Sequence, residues 1–218
     1  MIISGSHRRR AARVLLGIVI PLLALAAIAR VMHSSGLVWW DAEPLRAADL
    51  LDDRNRVNRL MTAVMQLSMV AEGLLAIAVA GLLIARGHIR AAAFWTFAIV
   101  GVIVLDPLLK DAFHREAIGG GTEWSFPSGN AMLSMALLAA GIVLAPRSAW
   151  LKRAVAIAAA LVVAQGAWLV AIKWHYPSDV VAGWCVATAW VTALALAVRD
   201  PYRSAKRAPT SSALSVRS

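Results

Sequence analysis

The chain has 218 residues, of which 60% are hydrophobic and 16% are charged, and its mean hydropathy is +0.69. A water-soluble domain of this length carries more charge, so the composition excludes an ordinary soluble globular protein. The net charge of +10 would suggest nucleic-acid binding in a soluble chain. Here the cations collect in short segments between apolar runs, which indicates anionic lipid as the partner and no nucleic acid.

Apolar runs that can cross a bilayer, which takes about 20 residues, follow one another along the chain. The first, Val14–Ala29, is short and follows a basic segment. We interpret it as a first span, and a cleaved signal peptide is the alternative. The other five are Leu60–Ala85, Ala91–Leu109, Asn130–Ala145, Ala154–Ile172 and Val180–Val198. The prediction is an all-α, six-helix transmembrane domain over residues 14–198. Basic cytoplasmic tails flank it at 1–13 and 199–218, and the second tail is expected to be disordered.

The charges of the connecting segments set the orientation. With six spans and the N-terminus inside, the inner side carries Asp200 as its only carboxylate. Its cations are Arg8, Arg9, Arg10, Arg13, Arg86, Arg90, Arg147, Lys152, Arg153, Arg199, Arg203, Lys206, Arg207 and Arg217. The positive-inside rule therefore places both termini in the cytoplasm, where the tails meet anionic inner-leaflet lipids.

The first outer segment, residues 36–59, has mixed charge. It contains Asp41, Glu43, Asp49, Asp52, Asp53, Arg54, Arg56 and Arg59. This pattern favours a solvated helix lying at the membrane surface, and a role in steering substrate is the alternative.

The second outer segment reads DPLLKDAFHREAIGGGTEWSFPSGN and begins at Asp106. If the third span continues as a helix, Lys110 pairs with Asp106 and Arg115 with Asp111, each four residues apart. The bland interpretation is a salt-bridged helix end. The functional one is a cationic cluster of Lys110 and Arg115, with three glycines, Gly119–Gly121, giving the loop freedom to fold over it.

The same segment ends in a helix start. Pro127, Ser128, Gly129 and Asn130 precede a long apolar run, with proline near the first turn and small polar residues around the cap. The free backbone N–H groups of such an end attract anions. An anion-binding site is therefore expected at residues 128–130.

The third outer segment, KWHYPSDVVAGW, begins at Lys173. Pro177 suits the first turn of the last helix, with His175 just outside that helix and Asp179 inside the turn. A carboxylate placed there can accept a hydrogen bond from an imidazole N–H, which fixes the tautomer and supports positive charge on the ring. The other histidines form no ligand cluster, so neither a metal nor another cofactor is expected, and the lone Cys185 is interpreted as packing.

Together, Lys110, Pro127-Ser128-Gly129 and His175-x-x-x-Asp179 on six spans resemble the type 2 phosphatidic acid phosphatase superfamily of lipid phosphate phosphatases, whose fold is related to the haloperoxidases. That family carries Lys-x6-Arg-Pro, then Pro-Ser-Gly-His, then Ser-Arg-x5-His-x3-Asp on the outer face. The resemblance runs from about the second span to the sixth.

The chain departs from these motifs at several positions. Ala117 and Ile118 stand at the Arg-Pro positions, Asn130 stands at the histidine of the second motif, and Trp168 and Leu169 stand at the Ser-Arg positions of the third. Two phosphate-clamping arginines and the usual proton donor are thus replaced.

The resemblance implies that His175 attacks phosphorus and forms a phosphohistidine, with Asp179 orienting it. Lys110, Ser128 and the Gly129 backbone would hold the phosphoryl oxygens. Arg115 and Lys173 are candidate substitutes for the missing arginines, with Lys173 on the same face of the fifth helix as Leu169. Lys173 as a cation that only reaches the headgroups is the alternative.

We therefore expect a membrane phosphatase acting on a lipid phosphate or an isoprenoid diphosphate, such as undecaprenyl diphosphate, at the outer face of a bacterial inner membrane. The alternative is a weak or inactive relative that binds or moves lipid phosphates. An ion-coupled transporter is poorly supported, because Glu72 alone lies near the middle of a span. Glu72 is interpreted as a hydrogen-bonded link between helices.

Overall fold

A computed structural model describes residues 5–52, 55–118, 124–145 and 148–198. The C-terminal tail predicted at 199–218 and the glycines Gly119–Gly121 lie outside the described residues. Within the described ranges the chain is almost entirely helical, and its single β-bridge joins Glu116 to Trp124. The predicted all-α fold is confirmed.

The helices follow the predicted order. They are α1 (Gly5–Val14), which continues through a π-helical turn into α2 (Ile20–Ser35), then α3 (Ala42–Asp52), α4 (Asn55–Ala85), α5 (Ile89–Phe113), α6 (Gly129–Leu144), α7 (Ala149–Ala171) and α8 (Pro177–Ala197). Five segments are long and apolar enough to cross a membrane: Arg10–Ser34, Arg59–Ala85, Ile89–Phe113, Trp150–Ala171 and Pro177–Ala197. The remaining predicted span, Asn130–Ala145, corresponds to α6, which is apolar but has only 16 residues.

The first span is longer than the Val14–Ala29 segment expected from the sequence. It runs as one helical rod from Arg10 to Ser34, and it packs against α8. Contact is close at Gly17, where a Cβ atom would lie 2.6 Å from the Thr192 side chain.

The centre of the bundle is the crossing of α6 with α8, flanked by α5. Gly183 permits this crossing, since a Cβ atom on it would lie 2.6 Å from the backbone oxygen of Ser128. Small side chains such as Ala136, Ala140 and Ala187 are fully buried along the seam. Close approach through small residues is how helices associate in a bilayer, where lipid is as apolar as the helices themselves.

The outer faces of the helices are apolar and exposed. Leu67, Ile77, Phe97 and Leu161 each expose more than 60% of their surface, which in a soluble protein would promote aggregation. On a bundle with five segments of spanning length, these faces contact lipid. The protein is an integral membrane protein.

Candidate active site

The starts of α6 and α8 meet at one end of the bundle. Ser128 caps α6, with its Oγ accepting a hydrogen bond from the Ala131 N–H at 3.4 Å. The Ser128 N–H donates to the Asp179 carbonyl at 3.0 Å, which ties the two helix starts together. The predicted cap is confirmed, with Pro127 directly before the cap residue.

The start of α8 has the predicted arrangement. Pro177 is the first helical residue, and Asp179 in the first turn accepts a hydrogen bond from the Tyr176 N–H through Oδ2 at 3.1 Å. His175 lies just outside the helix and is 8% exposed. Its Nδ1 is 3.6 Å from Asp179 Oδ2, which is beyond hydrogen-bonding distance, so the hydrogen bond expected between the two side chains is not formed.

Arg115 lies behind His175 in a buried ionic network. Its guanidinium donates to Asp179 Oδ1 at 2.5 Å, to Asp41 Oδ2 at 2.9 Å and to Ser178 Oγ at 2.7 Å. The same group stacks on the Tyr176 ring, 3.8 Å from its centroid. Burial raises the pKa of the Tyr176 hydroxyl and the charge of Arg115 lowers it by less, so this side chain is neutral at physiological pH.

A cavity of about 620 Å³ opens in front of His175. Besides His175, its charged or polar wall includes Asp106, Lys110, Asn130 and Lys173. The backbone of Gly129 also lines it, at the helix start where unpaired N–H groups favour an anion. Imidazole, two ammonium groups and a helix start thus face a common space, which suits a phosphoryl group.

The cavity wall also contains a carboxylate. Asp106 Oδ2 lies 3.3 Å from Lys110 Nζ, as the four-residue spacing predicts. A Cβ atom on Gly129 would lie 2.6 Å from the Asp106 carboxyl group, so this carboxyl sits against the start of α6. An incoming phosphate would therefore share Lys110 and this helix start with a resident anion.

Two of the predicted substrate-binding residues, Arg115 and Ser128, do not line the cavity. Helix α5 ends at Phe113, and His114 adopts a left-handed conformation with φ of 50°. The predicted helical pairing of Asp111 with Arg115 is therefore wrong, because the chain turns and directs Arg115 inward. Ser128, also proposed for phosphate binding, is fully buried and serves as the cap of α6.

Lys173 reaches the cavity by a route that the sequence did not predict. Helix α7 ends at Ala171, so Lys173 does not share a helical face with Leu169. It adopts a left-handed conformation, φ 57°, and lines the cavity. Leu169 is fully buried in a hydrophobic cluster with Met65 and Val180. Ala117 and Ile118, which stand at the positions of the missing arginine and proline, line the cavity.

Sequence reasoning missed Asp41. Its segment was interpreted as a solvated surface helix, and this is wrong for Asp41, which is fully buried. Asp41 Oδ1 accepts the Ser178 N–H at 2.9 Å, and Oδ2 accepts the Ser178 hydroxyl at 2.7 Å. The only signal in the sequence was an acidic residue directly after Trp39-Trp40 at the end of the first span.

A second cavity, of about 530 Å³, lies deeper between α4 and α7. Its walls are apolar except for a few groups that include Glu72 and Gln165. Gln165 Nε2 donates to Glu72 Oε1 at 2.6 Å, which confirms the predicted link between helices. Across the described ranges, no cluster of three His, Cys, Asp or Glu side chains could hold a metal ion.

The fold and this site define an integral membrane protein in which the start of α6 and a histidine face one cavity, with a buried ionic network behind the histidine. The model of the PAP2 superfamily matches residues 74–203, which is more than half of the chain. The chain belongs to that superfamily.

A solved structure shares the fold. It is a transmembrane PAP2-type phosphatidylglycerolphosphate phosphatase from Bacillus subtilis, with a TM-score of 0.64 and 21% sequence identity. The alignment covers 82% of this chain and 94% of that one. No curated protein matches the chain.

Proposed function

We propose that the protein is a membrane lipid phosphatase that works through a phosphohistidine on His175. The single observation that carries this proposal is the common cavity of His175, Lys110, Lys173 and the start of α6, in a chain of the PAP2 superfamily. The solved structure that shares this fold is a phosphatidylglycerolphosphate phosphatase, which supports a lipid phosphate as the substrate.

The proposed reaction has two steps. A ring nitrogen of His175 attacks phosphorus, and the bond from phosphorus to the lipid oxygen breaks as the leaving group takes the electron pair. Water then attacks the phosphohistidine, releasing inorganic phosphate and the free imidazole. Lys110, Lys173 and the backbone at Gly129 stabilise the charge on the transferring group.

The proposed orientation places this site on the outer side of a bacterial inner membrane. The starts of α6 and α8 lie at one end of the bundle, and the opposite end carries Arg86, Arg90, Lys152 and Arg153. Cations concentrate on the cytoplasmic side of membrane proteins and bind anionic lipids there. Both termini would then be cytoplasmic.

A panel of lipid mono- and diphosphates tests the activity. Purified protein should release phosphate from at least one lipid, and a radiolabelled substrate should leave acid-labile, alkali-stable label on the protein. His175→Asn should abolish both signals, because an amide cannot carry the phosphoryl group. His33→Asn, at an exposed histidine of α2, is the matched control and should change neither.

A second candidate function rests on the replaced motif residues. Leu169 is fully buried and Ala117 carries no charge, so neither can clamp phosphate. A relative that binds or moves lipid phosphates without hydrolysing them fits this observation. Saturable lipid phosphate binding by folded protein, with no phosphate release from any lipid of the panel, would decide for it.

A further inference from the structure

We infer that Asp41 is a positioning residue for the reaction at His175: it keeps the charge behind the imidazole net negative by balancing Arg115. The inference rests on the proposed function of His175 for its catalytic meaning. Asp41 lies outside the 74–203 range that matches the PAP2 superfamily, and it comes from the 3₁₀ turn at Trp39–Asp41, between the first two spans.

The contacts of Asp41 tie three parts of the site together. It accepts hydrogen bonds from Arg115 Nη2 at 2.9 Å, from the Ser178 N–H at 2.9 Å and from the Ser178 hydroxyl at 2.7 Å. Its side chain is completely buried, and that of Arg115 is 6% exposed. Asp41 thereby fixes both the guanidinium and the first turn of α8.

Charge counting gives Asp41 a second role. Arg115 pairs with Asp179 at 2.5 Å, and this pair alone has no net charge. A neutral pair would stabilise positive charge on the imidazole poorly. Asp41 adds a second carboxylate to the same guanidinium, so the three groups together carry a charge of −1. Little of this charge is screened, because the groups are buried.

His175 depends on this remaining charge because it has no hydrogen bond to Asp179. Asp179 Oδ1 accepts from Arg115, and Oδ2 accepts from the Tyr176 N–H. His175 Nδ1 is buried and has no hydrogen-bond partner among the described residues. The ring becomes positively charged as the phosphorus–nitrogen bond forms, so the charge of the network acts directly on that step.

Other charged groups face His175 from the cavity side. They are Lys110 and Asp106 on α5, and Lys173 in the turn between α7 and α8, while the neutral Tyr176 adjoins the ring in sequence. Substitutions at Asp41 or Arg115 leave the charges of Lys110, Asp106 and Lys173 in place, and Tyr176 stays neutral because burial dominates the pKa of its hydroxyl. A change in the titration of His175 on such substitutions therefore reports the network behind the ring.

The test is the titration of His175, followed by NMR of isotope-labelled histidine in the full chain, with the resonance assigned by its loss in His175→Asn. Asp41→Asn should lower the titration midpoint by about one pH unit, and Arg115→Gln should raise it by a similar amount. The double variant keeps Asp179 as the sole charge, so its midpoint should return to that of the natural protein. Glu43→Gln, at an exposed carboxylate on the adjacent helix, is the control and should leave the midpoint unchanged.

The signs of the shifts in the His175 titration midpoint distinguish an electrostatic role of Asp41 from a purely structural one. If Asp41 only holds the fold, Asp41→Asn lowers the thermal stability and leaves the His175 midpoint in place, which overturns the inference. If Arg115→Gln does not fold, the shift in Asp41→Asn still decides. If Asp41→Asn does not fold, the double variant decides, because a midpoint equal to that of Arg115→Gln would show that the charge of Asp41 does not act on the ring. A midpoint unchanged in every folded variant also overturns it.

The same variants separate this inference from the proposed function. Asp41→Asn should slow formation of the phosphoenzyme on the order of tenfold. If the natural protein forms no phosphoenzyme but the midpoints shift as expected, the charge balance stands and the phosphatase proposal fails. If phosphoenzyme forms at an unchanged rate in Asp41→Asn, the inference fails and the phosphatase proposal stands.

Discussion

Asn130 stands in the first turn of α6 and lines the cavity in front of His175. An asparagine can donate a hydrogen bond to a departing oxygen but cannot give up a proton. An alkoxide leaving from a lipid monophosphate is a strong base, because its conjugate acid is about as weak as water, and it needs a proton. A phosphate leaving from a diphosphate has a pKa of about 6 and departs with little help. If the proposed phosphatase activity is right, we expect the natural protein to prefer diphosphate substrates.

Asn130→His should therefore raise monophosphate hydrolysis far more than diphosphate hydrolysis. General-acid assistance is worth about 10²–10⁴-fold where the leaving group needs it. The measurement is the initial rate on one isoprenoid chain carrying either one or two phosphates. A natural enzyme that is fast on the monophosphate, or a substitution that accelerates both substrates equally, would refute this argument.

Lys173 offers a second prediction at the scale of a residue. Because it lines the cavity, Lys173→Ala should weaken the binding of a phosphate analogue, such as vanadate, by roughly 5–10-fold, as expected for a partly exposed charge-assisted contact. Lys152→Ala is the matched control, since Lys152 is exposed at the opposite end of the bundle. Equal effects of the two substitutions would show that Lys173 only anchors the protein at the interface.

At the scale of the elements, we expect the close packing of α6 against α8 to contribute to the free energy of unfolding. A methyl group on Gly183 would meet the Ser128 backbone oxygen at 2.6 Å, and a backbone oxygen cannot move away as a flexible side chain does. Gly183→Ala should lower the free energy of unfolding by about 1–3 kcal/mol, because the helices must separate. Since Ser128 and Asp179 join the two helix starts there, activity should fall as well.

Gly141 on α6 is the control for Gly183. Nothing lies within 4 Å of the position that its Cβ would occupy. Gly141→Ala should change the unfolding free energy by less than about 1 kcal/mol, in the stabilising direction, because alanine favours the helix. Thermal unfolding of both variants in the same detergent provides the comparison. A Gly183→Ala variant as stable as Gly141→Ala would contradict the packing argument.

The elements also show what sequence reasoning can reach. Apolar runs predicted the spans, and the Pro177 signal predicted the start of α8, because both depend on local chemistry. The end of α5 could not be predicted: the periodic charges from Asp106 to Arg115 fit a longer helix. The turn at His114 is favoured by contacts far along the chain, where Arg115 meets Asp41 and Asp179. The inward position of Asp41 depends on the same long-range partners.

For the whole molecule, the proposed orientation makes a prediction that needs no substrate. In a Cys185→Ala background, Ser34→Cys at the end of α2 should react with a membrane-impermeant maleimide in intact cells. Ile89→Cys at the start of α5 should react only after the cells are opened. Both positions are exposed. The reverse labelling pattern would place the cavity on the cytoplasmic side.

The 16 residues of α6 have a further consequence for the whole molecule. At 1.5 Å per residue this helix is about 24 Å long, whereas the hydrocarbon layer of a bilayer is about 30 Å thick. If its inner end lies level with the inner boundary, the start of α6, and the cavity with it, lies roughly 6 Å below the outer boundary. A lipid headgroup must sink toward the hydrocarbon layer, or the bilayer must thin locally, before phosphorus reaches His175.

The rate of lipid hydrolysis should therefore depend on the thickness of the bilayer. Protein reconstituted into phosphatidylcholines of increasing acyl length should lose activity as the hydrocarbon layer thickens. A water-soluble phosphate ester supplied in the same vesicles should be hydrolysed at a rate that depends little on acyl length. If the hydrolysis rates of the two substrates changed equally with acyl length, moving the headgroup down to the cavity would not limit the reaction. The short helix would thus make the rate of lipid hydrolysis depend on the thickness of the surrounding bilayer.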